Sequence, residues 1–398
     1  MMYRLNIWSR LTHQLFPAGE MVCEISTNGR PRCEFRYASE FLADSSSFPL
    51  DPTSLPLNTS IFPYSGIAHP VFEDSLPDDW GKRLLIRKHR PGRRDQNTPN
   101  MLAVLGSSGL GALVYSLDNT PPLILHQSPT ILNLGQLIED AEKFERGEPL
   151  DTETSLLFSA GSSPGGARPK TLILDEDGSH CIAKLPSSKD TVDVVRIEAA
   201  TMSLAKKAGI PVPGTRVVQC GARPALLVER FDIIPTGRRH MISMQSLLKA
   251  EGYYVCRYKE LLDMVRRYSA APSVDSANLF RQMVFNALIG NTDDHLKNFW
   301  MTYGENDGWR LSPAFDLVPD IARRGEHILL FDLDPYCPGI QKLSKLGKAW
   351  GISRAGQLVD SVVSALSDWQ QEYHEHGVTD QDIRPFLGIN DRLSSGTG

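Results

Sequence analysis

The sequence predicts an α+β protein: an α+β lobe over residues 121–235 and a mainly helical lobe over 236–398, behind an N-terminal β-rich subdomain at 1–120. Three observations carry this reading. Tyr3, Leu5 and Ile7 alternate with the period of a half-buried strand. Two β-compatible runs, 171–174 and 179–185, flank the turn Asp175-Glu176-Asp177-Gly178 as a hairpin would. From Gln245 onward the apolar residues fall at helical spacing.

Taken in order, residues 1–120 are strand-like with turn punctuation, including a Pro/Ser-rich stretch at 44–63. Residues 121–150 link, with a short helix expected at 133–145. The run 161–170 is rich in small residues, and the 171–185 hairpin follows it. A helix is expected at 194–208, with Gly209 in the C′ position. Residues 225–232 read as a buried strand that turns polar. Helices are expected at 258–268, 275–289 and 354–369; in the second, Phe280, Met283, Val284, Ala287 and Leu288 have core spacing. Between these lies a short hairpin, 299–303 with 309–311, around Gly304-Glu305-Asn306-Asp307-Gly308.

With 41% hydrophobic residues in 398, the chain can bury a large core, divided among two or three domains. No stretch approaches 18 continuous apolar residues, so no membrane span is expected. Arg4 and Arg10 precede the first acid, Glu20, which allows a transit-peptide reading; the alternation at residues 3–7 favours a strand instead. No secretory apolar segment is present. Cysteines 23, 33, 181, 220, 256 and 337 lack C-x-x-C spacing, which argues against a zinc site and fits reduced thiols in the cytoplasm. A net charge of −5 excludes nucleic-acid binding by overall field. Residues 82–94 nevertheless hold seven bases; a solvated helix end is the plain reading, a phosphate or DNA contact the functional one.

The chemistry concentrates in Gly290-Asn291-Thr292-Asp293-Asp294-His295-Leu296-Lys297-Asn298 and Phe315-Asp316. Phosphoryl transfer needs a carboxylate near the attacking hydroxyl, and an amide with a second carboxylate on Mg²⁺. Asp293 and Asn298 are five apart (298 − 293) and Asp316 follows 18 later (316 − 298), the kinase order. Upstream, the Gly-rich run can present backbone N–H groups to phosphates. Lys184, on the strand beneath, is placed to neutralise them. Glu198, 14 residues on (198 − 184), is a candidate ion-pair partner for Lys184. The strand end at Glu229 and Phe231 suits an adenine hinge. A hydrolase reading of Gly161-Ser162-Ser163-Pro164-Gly165 fails: a hairpin rather than a helix follows, and Pro164 has no N–H for an oxyanion hole.

Together with Ser163-Pro164-Gly165-Gly166-Ala167-Arg168-Pro169-Lys170, Ile182-Ala183-Lys184-Leu185-Pro186, Val228-Glu229-Arg230-Phe231-Asp232 and Phe72-Glu73-Asp74-Ser75-Leu76-Pro77-Asp78-Asp79-Trp80-Gly81, these motifs resemble the HipA family of serine/threonine kinases over roughly residues 1–390. The resemblance implies a bilobal kinase-like body using ATP and Mg²⁺. Asp293 would be the base, and Asn298 and Asp316 the metal ligands. Ser163, Gly165, Gly166, Ala167, Arg168, Lys170, Lys184, Glu229, Phe231 and His295 would line the nucleotide. Ser163, or its neighbour Ser162, stands where the family carries a regulatory autophosphorylated serine. Asp294 stands where Gly is common and is expected to add charge near the metal. The implied biology is a growth-arresting bacterial toxin held by a small helix-turn-helix antitoxin, with DNA reached only through that partner and no membrane. Its substrate would be a protein, in some relatives an aminoacyl-tRNA synthetase. A phosphoinositide-type or small-molecule kinase, sharing the Asp-x-His-x-x-Asn loop, and a pseudokinase regulator are the alternatives.

Overall fold

The computed structural model describes residues 1–25, 31–124, 128–159, 166, 168–322 and 324–394. Ser162, Ser163, Gly165 and Ala167 therefore lie outside the described residues. The fold is mixed α/β, in two compact units. One comprises Met1–Ser188, Leu227–Ile242 and Thr302–Asn306; the other comprises Lys189–Leu226, Ser243–Met301 and Asp307–Gly398.

The first unit opens with strands β1 (Met2–Ser9), β2 (Phe16–Glu24), β3 (Arg32–Tyr37) and β4 (Phe62–Tyr64), joined later by β5 (Leu113–Ser116). Their order is β4-β3-β2-β1-β5, with antiparallel neighbours. The alternation of β1 sends Leu5 and Ile7 into the core, where Met21 and Phe35 meet them from the neighbouring strands. Two helices cover this part of the chain: α1 (Asp79–His89), which carries the bases read as a solvated helix end, and α2 (Thr98–Leu105), which the strand-like pattern of 1–120 does not announce. The α1 pattern is masked by its bases, since only Trp80, Leu84 and Leu85 carry its large apolar buried side chains. Helix α3 (Leu134–Glu145) follows, and then the antiparallel hairpin of β6 (Lys170–Leu174) and β7 (His180–Lys184) around Gly178 at φ 83°. The Trp80 indole donates to the Lys170 carbonyl at 3.0 Å, fixing α1 against the start of β6.

The second unit begins with α4 (Val194–Lys207), whose N-terminus is capped by Asp193 accepting from the Arg196 N–H. Strand β8 (Thr215–Cys220) comes next, and β9 (Arg223–Glu229) leads the chain back into the first unit at Leu227. Helices α5 (Tyr258–Tyr268) and α6 (Pro272–Ile289) form the centre of the helical part. Phe280, Met283, Val284, Ala287 and Leu288 of α6 are all buried, as their spacing predicts. The helix expected at 354–369 divides into α7 (Ala355–Leu366) and α8 (Trp369–Glu375). The Ser367 hydroxyl turns back to the Ser364 carbonyl at 2.8 Å, a local bond that competes with helix continuation. Among the described residues, no helix is long and apolar enough to cross a membrane.

Candidate active site

In the second unit, α6 delivers the chain to the Asp293 loop and stops abruptly. Gly290 takes φ 82°, and its N–H returns to the Asn286 carbonyl. Arg392 donates to the carbonyls of Leu288 and Ile289, both at 2.9 Å, satisfying the end of the helix. A side chain at Gly290 would collide with that guanidinium, so glycine is required for both space and backbone angle.

The loop then closes on itself. His295 precedes a 3-10 turn of Leu296–Asn298, and the Leu296 N–H donates to the Tyr254 hydroxyl at 3.1 Å. Burial pushes that phenol's pKa up. The Asn298 amide nitrogen donates to the Asp293 carbonyl at 2.8 Å. This bond orients the buried Asn298 side chain so that its Oδ1 remains as the acceptor, the atom a hard cation takes. The Asp293 side chain is exposed and accepts no hydrogen bond from the described residues. Its carboxylate faces solvent.

Asp316 is brought to the same loop by two main-chain bonds. Ser312 N–H donates to the Trp300 carbonyl at 2.9 Å, joining the segment before Asp316 to the one after Asn298. Asp320 N–H donates to the Gly290 carbonyl at 2.8 Å and ties down the far side. Asp316 itself sits at φ 55°, a left-handed conformation uncommon for a residue with a Cβ and concentrated at functional positions. Among the described residues, no three His, Cys, Asp or Glu side chains form a metal cluster. One carboxylate and one amide oxygen are donors that would fit a hard cation such as Mg²⁺.

Asp294, expected to add charge near the metal, is taken up by hydrogen bonds to remote residues. Its carboxylate is fully buried and accepts four hydrogen bonds when His327 carries its proton on Nδ1. The others come from Tyr258 Oη at 2.6 Å, Ile328 N at 2.9 Å and Leu329 N at 3.3 Å. Tyr258 in turn accepts from Asn286 of α6 at 3.1 Å. Burial, and then the Asp294 charge, push the Tyr258 phenol far above its ordinary value. Asp294 is thus a buried clamp holding the loop to α5 and to segment 327–329. Its partners stand 33 to 36 residues away in the chain, so no local sequence signal announces them.

The first unit holds the remaining candidates. Lys170 and Lys184 are direct cross-strand partners and share a face of the hairpin; Lys170 is buried and Lys184 half-buried. Gly166, at φ 106°, donates its N–H to Asp78 Oδ2 at 3.0 Å, and a side chain there would collide with the Lys170 ammonium. The loop end, a buried cation and the residues entering α1 therefore form one assembly, to which Asp78 and Trp80 contribute unannounced by the glycine pattern. Arg168 is exposed. Glu229 is exposed at the end of β9, Phe231 is half-buried, and the intervening Arg230 N–H donates to the His180 carbonyl at 2.9 Å. Glu198, in the second unit on α4, is buried.

A family model described as the HipA-like C-terminal domain matches residues 162–370, and one described as the HipA N-terminal domain matches 14–116. The chain is 26% identical over 406 residues to a protein of Sinorhizobium fredii (strain NBRC 101917 / NGR234) named as a candidate kinase, Y4mE, covering 91% of each. A second Sinorhizobium fredii candidate kinase, Y4dM, is 26% identical over 332 residues, 76% of each. Among solved structures, the toxin–antitoxin complex of HipA, HipB and operator DNA from Shewanella oneidensis MR-1 contains a chain of like fold. The TM-score is 0.69 at 20% identity, over 98% of this chain and 95% of that one.

Proposed function

Because the chain belongs to the HipA family, we propose that it is an ATP- and Mg²⁺-dependent serine/threonine protein kinase. The observation that carries this reading is the closed loop in which Asn298 is oriented by Asp293 while Asp316 is tied alongside. Asp293 accepts the proton of the attacking hydroxyl as its oxygen approaches the γ-phosphorus. Asn298 Oδ1 and the Asp316 carboxylate would hold Mg²⁺, which when bound neutralises the charge on the β- and γ-phosphates. Lys184 and Lys170 supply cationic charge for the remaining phosphate oxygens, and Glu229 and Phe231 present backbone groups to adenine. His295 lies beside the nucleotide in this arrangement, and Glu198 is the counter-ion for Lys184.

The biology proposed with it is a cytoplasmic toxin restrained by a helix-turn-helix antitoxin that bridges it to DNA, acting on a protein acceptor such as an aminoacyl-tRNA synthetase. Ser163, or Ser162 beside it, is proposed as an autophosphorylation site that switches the enzyme off. A phosphate there adds about −1.5 to −2 charge where the nucleotide's own anions bind. Incubation of the full chain with MgATP should yield one phosphate on peptide 161–170 by mass spectrometry, and the isolated phospho-form should lose ATP binding. A phospho-form that binds ATP normally contradicts the switch. The acceptor class is tested with γ-labelled ATP offered cell lysate, phosphoinositide vesicles and small alcohols in parallel. Label on protein serine or threonine supports the proposal, whereas label confined to lipid or small molecule favours the alternative kinase class.

A further inference from the structure

Helix α1 carries a charged face that phosphoryl transfer does not use. Lys82, Arg83, Arg87 and Arg90 are exposed, while Trp80, Leu84 and Leu85 are buried. At 3.6 residues per turn, the four cations fall on one arc and the apolar side chains on the opposite one. Arg90 ends the helix at φ 46°, and Arg93 and Arg94 extend the exposed basic surface in a 3-10 turn. None of these six makes an ion pair with a carboxylate of the described residues, although Asp79 and Asp95 flank the row. Arg83 is fixed in place over the Trp80 and Phe144 rings, 5.5 and 5.6 Å from their centroids. Arg83 and Arg87, four apart, form a like-charge pair of the kind that destabilises a helix until counter-charge arrives. All this sits on a chain whose net charge is −5.

We infer that this face binds the phosphate backbone of a nucleic-acid duplex directly. From Lys82 to Arg90 the helix rises about 12 Å, at ~1.5 Å per residue. Each strand of a duplex carries one negative charge per ~3.4 Å of axis, close to the spacing of four cations along ~12 Å of this face. Five of the six cations are arginines, whose planar forks pair with phosphate oxygens two at a time. A membrane-surface helix would need large apolar side chains beside its bases, and none of the exposed large hydrophobics lies between residues 79 and 95. The contact reads charge and shape rather than base sequence. It goes beyond DNA reached only through a partner, and stands independently of the phosphoryl-transfer reading.

The test uses the full chain without any partner protein and a fluorescein-labelled 20-bp duplex of arbitrary sequence, with anisotropy read from 50 to 200 mM KCl. Binding should weaken with salt at a slope of about −3 to −4 in log K against log[salt], for about four neutralised phosphates. Arg87→Glu/Arg90→Glu should weaken binding at least ~10-fold at 50 mM and reduce the slope by about 2. Arg93→Glu/Arg94→Glu, on the turn beyond the helix, decides the matter if the first variant does not fold. Absence of wild-type binding at 50 mM overturns the inference, as do folded variants with wild-type affinity and slope. Tighter binding to phosphatidylserine vesicles than to the duplex also overturns it.

Discussion

Asp293 and Asp294 are neighbours in sequence with opposite environments, and the difference assigns them different work. Asp293 is exposed above a loop whose shape Asn298 maintains. Asp294 is sealed among Tyr258, His327 and two main-chain N–H groups. Asp294→Ala leaves up to four buried donors without an acceptor, at about 1–3 kcal/mol each. The expected outcome is a loss of at least about 3 kcal/mol in urea unfolding, with Asp294→Asn losing less because it retains an acceptor oxygen. An Ala variant as stable as wild type contradicts the clamp. At this scale the sequence was legible only where spacing was local. The contact of Asn298 with Asp293 spans only five residues, whereas Asp294 looked like surplus charge because its partners are remote in the chain.

At the scale of elements, the hairpin of β6 and β7 was readable because the Asp-Gly turn and its flanking β-compatible runs lie side by side in sequence. Helix α1 showed in the sequence only as a basic helix end, and the tie from Asp78 to Gly166 crosses 88 residues, so the support of the glycine-rich segment appeared only in the fold. The hairpin opposes two lysines across its strands. Lys184→Ala should therefore weaken MgATP much more than adenosine, because only phosphate contacts are lost. A contact to a charged group is worth roughly 1.5–3 kcal/mol, about 10- to 150-fold in affinity. Equal losses for the two ligands by calorimetry would make Lys184 structural.

For the whole molecule, composition announced a large core and more than one domain, but not the way the chain interleaves. The first unit takes in Leu227–Ile242 and Thr302–Asn306 from distant sequence, and such non-local closure leaves no periodic trace. The residues that fasten Leu227–Ile242 into that unit give it an acid sensitivity. Asp232 is buried against Arg230 at 2.6 Å and accepts from the Gly111 N–H at 2.9 Å. Burial would push its carboxyl up, but Arg230, Arg238 and Gly111 together hold it below its ordinary 3.8. Below that value the unfolded chain binds the proton more readily than the folded one. The stabilisation is thus complete above the ordinary value and lost as pH falls through the depressed one. Urea midpoints of the wild type should fall more steeply below pH 4 than those of Asp232→Asn; parallel curves contradict the assignment.

The Asp293 loop is proposed to carry phosphoryl transfer from ATP to a protein hydroxyl. The most direct measurement is transfer of γ-labelled phosphate from ATP to protein by wild type, Asp293→Asn and Asp316→Asn, each shown to be folded by circular dichroism. Label should appear with wild type and Mg²⁺, and each variant should fall by at least ~100-fold, within the span for loss of a general base. Asp316→Asn should also weaken the Mg²⁺-dependent part of nucleotide binding. Wild-type transfer by either variant would contradict the account.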